Sequence, residues 1–167
     1  IKNGTIHQSE GKKLTQTDIL VEENRIRKIG KNMEVPGATV IDASGMEVFP
    51  GMILPATSVG LIDYTSIKQP DSTEWGQPVY PQLSVRYSLD MREVHLQKYE
   101  QSGITAFGAC PGNKALIAGQ TGVFHTYGNT AQSMEIKDPV ALKAKFISDV
   151  KVAFGGKSMY HMTRMGM

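Results

Sequence analysis

Over residues 1–49 apolar and polar side chains alternate in short runs, and turn-prone residues separate the runs. Period-two alternation over a few residues puts one face of a strand inward and the other in water. The pattern predicts strands at residues 1–6, 18–22, 25–30, 38–42 and 46–49. Glu23-Asn24 forms a tight turn between the second and third, and Ser44-Gly45 a turn before the last. In Arg25-Ile26-Arg27-Lys28-Ile29-Gly30 isoleucines and cations share the run, as on a half-buried strand. No stretch here has helical spacing, so residues 1–50 read as a small β-sandwich or open barrel.

The pattern changes after Pro50. Residues 53–61 form an apolar strand-like run, and residues 67–81 are rich in Pro, Gly, Asp, Ser and Gln, which predicts a long loop. Ser88-Leu89-Asp90 is a capping sequence for a helix reaching Ser102, with Met91, Val94, His95 and Tyr99 near helical spacing and Gly103 as its stop. Residues 104–108 read as a strand, 109–122 as a glycine-punctuated loop and 123–127 as another strand. Asp138-Pro139 has the form of a helix start, with a helix to Phe146, and residues 150–154 close the pattern as a strand. Strand and helix alternating from Ile53 onward is the order of a parallel α/β sheet or barrel. Residues 51–167 are thus read as a second unit.

Composition narrows the function little. The 167 residues are 40% hydrophobic and 20% charged with a formal net charge of +2, which gives no electrostatic case for nucleic acid or an anionic membrane. A single cysteine, Cys110, rules out an intrachain disulfide. No apolar run reaches membrane-spanning length and no signal-peptide pattern is visible, so the expectation is a cytoplasmic protein; the first residue is Ile1, which leaves an upstream leader open. The nine methionines read as core fillers rather than metal ligands.

Pro50-Gly51-Met52-Ile53-Leu54-Pro55-Ala56-Thr57-Ser58-Val59-Gly60-Leu61 resembles the strand that opens the barrel in the amidohydrolase superfamily, Pro-Gly-x-Ile-Asp-x-His-x-His-x-Gly-Leu. Pro50, Gly51, Ile53, Gly60 and Leu61 match it. The two histidine positions hold Ala56 and Ser58, and the aspartate position holds Leu54. Histidines at i and i+2 on a strand grip one metal together, which neither a methyl group nor a neutral hydroxyl can do. Upstream, Asn3-Gly4-Thr5-Ile6, Asp18-Ile19-Leu20-Val21-Glu22 and Pro36-Gly37-Ala38-Thr39-Val40-Ile41-Asp42-Ala43 are similar to the family's first strands. Downstream, Gly103-Ile104-Thr105, Pro111-Gly112-Asn113, Gly119-Gln120, Ile136-Lys137-Asp138-Pro139 and Thr163-Arg164-Met165-Gly166 resemble its imidazolonepropionase-like branch.

The resemblance implies an α/β fold: the first units of a (β/α)8, TIM-like metal-dependent hydrolase barrel over 51–167, preceded by a composite β-sandwich subdomain over 1–50. Such a barrel typically needs about 250 residues. The chain therefore reads as the front part of a larger protein, with the barrel incomplete. The implied activity is hydrolysis of non-peptide C–N bonds in amides, cyclic amides or lactams by metal-activated water. The implied cofactor is one divalent, zinc-type metal in the full-length protein, with none expected for this part alone. The implied partners are a small-molecule substrate and the missing C-terminal portion, or copies of the same chain. A non-catalytic scaffold or binding subunit of the same fold, and an unrelated α/β binding module, are the alternatives.

No catalytic or metal-binding residue can be named from this stretch. Of the four histidines, His7 reads as a surface residue, His95 as mid-helix and His125 as structural. His161, after the last strand and Gly155-Gly156, is a candidate substrate contact, as are Gln120 in the glycine-rich loop and Arg164, which could pair with a carboxylate. Asp63 is a loop carboxylate that could approach a metal, and Cys110 beside Pro111 lacks an obvious base for nucleophilic work.

Overall fold

A computed structural model of the chain describes residues 1–61, 72 and 76–146. The chain divides into two compact units, Ile1–Pro50 and Gly51–Met167.

The first unit holds β1 (Gly4–His7), β2 (Lys13–Glu22), β3 (Arg25–Gly30) and β4 (Glu47–Val48) in one sheet of order β3-β2-β1-β4. β1 and β2, and β2 and β3, are antiparallel; β1 and β4 are parallel. Glu23 and Asn24 both take positive φ, 50° and 60°, the conformation of a two-residue hairpin turn whose twist suits the flanking strands. Glu22 pairs with Arg25 across it. Asp18 is buried, and its carboxylate accepts the backbone N–H groups of Asn3 and Met33, both at 2.8 Å.

Two expectations fail here. Residues 38–42 form no strand but a single bridge, Lys2 to Asp42. The Asp42 carboxylate accepts Ser44 N–H at 3.1 Å and Ser44 Oγ–H at 2.6 Å, so the chain turns where a strand would continue. β3 is not half-buried: Ile26 and Ile29 are both exposed.

The second unit holds β5 (Met52–Thr57), α1 (Val94–Gln101), β6 (Ile104–Ala109), β7 (Ile117–His125), α2 (Ala131–Met134) and β8 (Glu135–Ala144), with a 3-10 turn at Val85–Ser88. Its sheet order is β5-β6-β7-β8. β5 and β6 are parallel, with α1 in the connection between them, which is the α/β unit the sequence predicts. The expected all-parallel sheet is corrected beyond β6: β7 and β8 return antiparallel.

The core of this unit is built on Leu96 from α1, Phe107 from β6, Phe124 from β7 and Met134 from α2, each at most 1% exposed. Phe107 and Phe124 are register partners, with rings 6.0 Å apart and tilted by 35°. Leu89 also enters this core, so the segment before α1 packs as a turn. The Asp90 carboxylate accepts Arg92 N–H at 3.0 Å, and Glu93 takes the cap by accepting His95 N–H at 3.1 Å. The helix therefore starts at Val94 rather than near Ser88, and His95 sits in its first turn rather than at its middle. Gly103, at φ 80°, ends it as expected.

The helix expected over 138–146 is strand β8. Ser84 Oγ–H donates to the Asp138 carboxylate at 2.8 Å, which removes it as a cap. The observed helix lies upstream, at Ala131–Met134, where Thr130 and Ser133 form a reciprocal capping box. β8 is an edge strand among the described residues, and Pro139 needs no ladder donor on an open edge. Residues 117–122, expected in a loop, belong to β7. Gly119 lets the chain at Leu83 approach: a Cβ there would lie 2.7 Å from Leu83 O. The loop expected over 67–81 and the strand over 150–154 lie largely or wholly outside the described residues.

Candidate functional site

Parallel strands β5 and β6 end on the same edge of their sheet, and in open α/β sheets ligands gather at the carboxyl ends of strands. The chain has a cleft of about 600 Å³ there. Ala56, Thr57 and Ser58 line it from the end of β5, residues 110–113 from beyond β6, Thr121 to Val123 from β7 and Val140 to Lys143 from β8. Thr57 anchors the rim: its Oγ1 accepts Val59 N–H at 3.1 Å and its carbonyl accepts Cys110 N–H at 2.8 Å. β5 and β6 lie close, since a Cβ on Gly108 would fall 2.2 Å from Pro55 O.

The positions where the resemblance has paired histidines line a cleft, and they hold an alanine and a serine. These residues do not fit a divalent ion. Among the described residues no group of three or more His, Cys, Asp and Glu side chains is placed to hold a metal.

The residue that the sequence reading missed is Lys143. Its side chain reaches the cleft from β8, and Nζ donates to Pro111 O at 2.5 Å. Partial burial holds its amine below the usual lysine range; Cys110 nearby opposes the shift and Lys145 adds to it. The signal was hidden because a helix over 138–146 carries no strand register. On β8 Lys143 pairs with Gly119, and the alternation from there would have placed it.

The named candidates scatter. Gln120, on β7, donates its side-chain N–H to Pro81 O at 3.1 Å and its backbone N–H to Leu83 O at 2.6 Å. It lines a smaller hollow with Pro139 and Leu142, not the cleft of Ala56 and Ser58. His161, Arg164 and Asp63 lie outside the described residues. His7 stacks on Phe49, with rings 4.2 Å apart, and meets the Glu47 carboxylate, which Lys13 also contacts at 3.3 Å. His125 ends β7 with its ring 4.9 Å from Tyr127, and His95 contacts Glu93. A larger apolar cleft, about 830 Å³, lies in the first unit. The Asp18 carboxylate there is already engaged by two backbone donors, so the β5–β6 cleft is the better candidate for chemistry.

No family model matches the chain. It is 39% identical over 62 residues to 5-methylthioadenosine/S-adenosylhomocysteine deaminase of Pyrococcus furiosus, a match covering 37% of this chain and 15% of that protein. It is 43% identical over 61 residues to D-hydantoinase of Geobacillus stearothermophilus, covering 36% and 12%. With dihydroorotase of Aquifex aeolicus it shares 45% over 53 residues, covering 32% and 13%. Among solved structures it matches an amidohydrolase from Thermotoga maritima MSB8 with a TM-score of 0.92 and 26% identity, over 99% of this chain and 43% of that one. These likenesses support the amidohydrolase superfamily. The chain spans less than half of the amidohydrolase structure it matches, and the curated alignments cover a smaller share of the relatives.

Proposed function

We propose that this chain is the N-terminal portion of a hydrolase of non-peptide C–N bonds, with its substrate mouth at the β5–β6 cleft. The observation that carries the reading is the likeness to an amidohydrolase over 99% of the chain at a TM-score of 0.92. The names of the sequence relatives, a deaminase, a hydantoinase and a dihydroorotase, agree on the bond class. On this reading residues 51–167 begin a (β/α)8 barrel and residues 1–50 are part of a composite sandwich; the imidazolonepropionase-like branch is the family branch proposed. His161 and Arg164 remain candidate substrate contacts at this mouth, and Gln120 one only from the neighbouring hollow it lines.

Hydrolysis of such a bond needs an activated water and a group that moves its proton. The described lining of the cleft contains neither histidine nor carboxylate. Any divalent metal and the general base then come from residues outside those described, and the described chain supplies the wall, the rim and one cation.

Ala56 and Ser58 favour a second reading, a non-catalytic scaffold or binding subunit on the same fold. The deciding experiment is metal analysis of the intact protein, with amides, cyclic amides and lactams as substrates. Metal-bound protein that hydrolyses one of these classes supports the first reading. Metal-free, inactive protein that copurifies with a partner, and gains no activity from Ala56→His with Ser58→His, supports the second.

A further inference from the structure

The β5–β6 cleft has a one-sided charge. Among its described lining residues Lys143 is the sole charged side chain, and no carboxylate faces it. An ammonium group carries three N–H donors, and Lys143 spends one on Pro111 O. Two donors are left for a ligand, in surroundings dry enough to lower the affinity of the amine for its proton. An anion beside Nζ would offset that cost by favouring the charged form. Ser58 and Asn113, both on the lining, make no side-chain hydrogen bond among the described residues. The remaining wall is largely apolar, with Pro55, Ala56, Val123, Val140 and Leu142.

The size of the charge is bounded as well. Two backbone donors at this rim are already used, Cys110 N–H on Thr57 O and Gly112 N–H on Ser72 O. Lys143 is the one ammonium on the described lining, Lys145 acting on it from outside that lining, so a second negative charge buried here would lack a partner of its own and be costly. A volume of about 600 Å³ lies in the range of small-molecule sites.

We propose that this cleft binds a small organic monoanion, a carboxylate on an apolar body, with Lys143 as its counter-charge. The proposal rests on the cleft being the substrate mouth, and binding is therefore measured apart from turnover. Benzoate and its neutral isostere benzamide are titrated against the full chain near neutral pH, with chemical shifts or heat as the readout. Benzoate should bind at least tenfold more tightly. Lys143→Met should abolish the preference and Lys143→Arg should keep most of it, with circular dichroism confirming that each variant is folded. In a Cys110→Ser background, which removes the thiol that shares the lining with Lys143, the preference should fade as pH rises toward the ordinary lysine range, where benzoate stays ionised and Lys143 gives up its proton.

Equal affinities, a preference that survives Lys143→Met in a folded protein, or one undiminished in that alkaline range would overturn the proposal. Benzoate selectivity in an intact protein that hydrolyses no C–N bond sustains the anion site and removes the hydrolase reading. Hydrolysis of neutral cyclic amides without carboxylate selectivity does the reverse.

Discussion

Gly108 shows how much one missing methyl group can decide. A Cβ there would lie 2.2 Å from Pro55 O and 3.0 Å from the Pro55 carbonyl carbon, both backbone atoms that cannot turn aside. Gly108→Ala must push β5 from β6, and overpacking of this kind costs about 1–3 kcal/mol. A lowered urea midpoint with the cleft residues shifted in an NMR spectrum is the expected outcome. Asp18 is the second residue with a sharp prediction. Its two backbone donors, Asn3 and Met33, hold its carboxyl below the usual 3.8. A carboxyl whose pKa is lower folded than unfolded gives stability that is present above the unfolded value and lost as pH falls through the folded one. Unfolding free energy should therefore drop on acidification below about pH 4. Asp18→Asn should flatten that slope in urea titrations, leaving the part due to Asp42 and Glu47, which are lowered by Ser44 and His7 respectively.

At the scale of elements, the parts legible in the sequence were those set by local chemistry. The Glu23-Asn24 turn, the stop at Gly103 and strand β6 follow from backbone preference and pattern alone. Element β8 was not legible, because Asp138-Pro139 is a sound helix start locally and loses to a distant group, Ser84, that claims the carboxylate. The start of α1 moved for a similar reason: Leu89 is worth more in the core than in a further helical turn. Leu96 is the helix's anchor, 1% exposed against Phe107 and Phe124. Leu96→Ala should destabilise the second unit by about 2–5 kcal/mol, read from the thermal or urea transition. A loss under 1 kcal/mol would argue that α1 is not held by this contact.

At the scale of the whole molecule, the sheet of the second unit leaves much apolar surface in water. Ile53 is 68% exposed on β5, and Ile136, Val140 and Leu142 are exposed on β8. β5 and β8 are both edge strands among the described residues, and exposed apolar edges invite pairing. If it is the N-terminal portion proposed above, the chain alone should self-associate or bind a further portion of the same protein. Size-exclusion chromatography with light scattering checks this; a stable monomer at micromolar concentration counts against it.

By itself the sequence determined the strand-rich first unit, the βαβ passage through β5, α1 and β6, and the family likeness, since each rests on neighbours within a few residues. It also determined that Ala56 and Ser58 cannot grip a metal, which is a property of the side chains alone. Only the tertiary structure decided that β7 and β8 turn back antiparallel, and that Lys143 and Cys110 share the cleft with Ala56 and Ser58. That pairing joins residues more than thirty positions apart, and no local preference encodes it; it exists because the register of β8 on β7 carries Lys143 to the rim where Pro111 receives it.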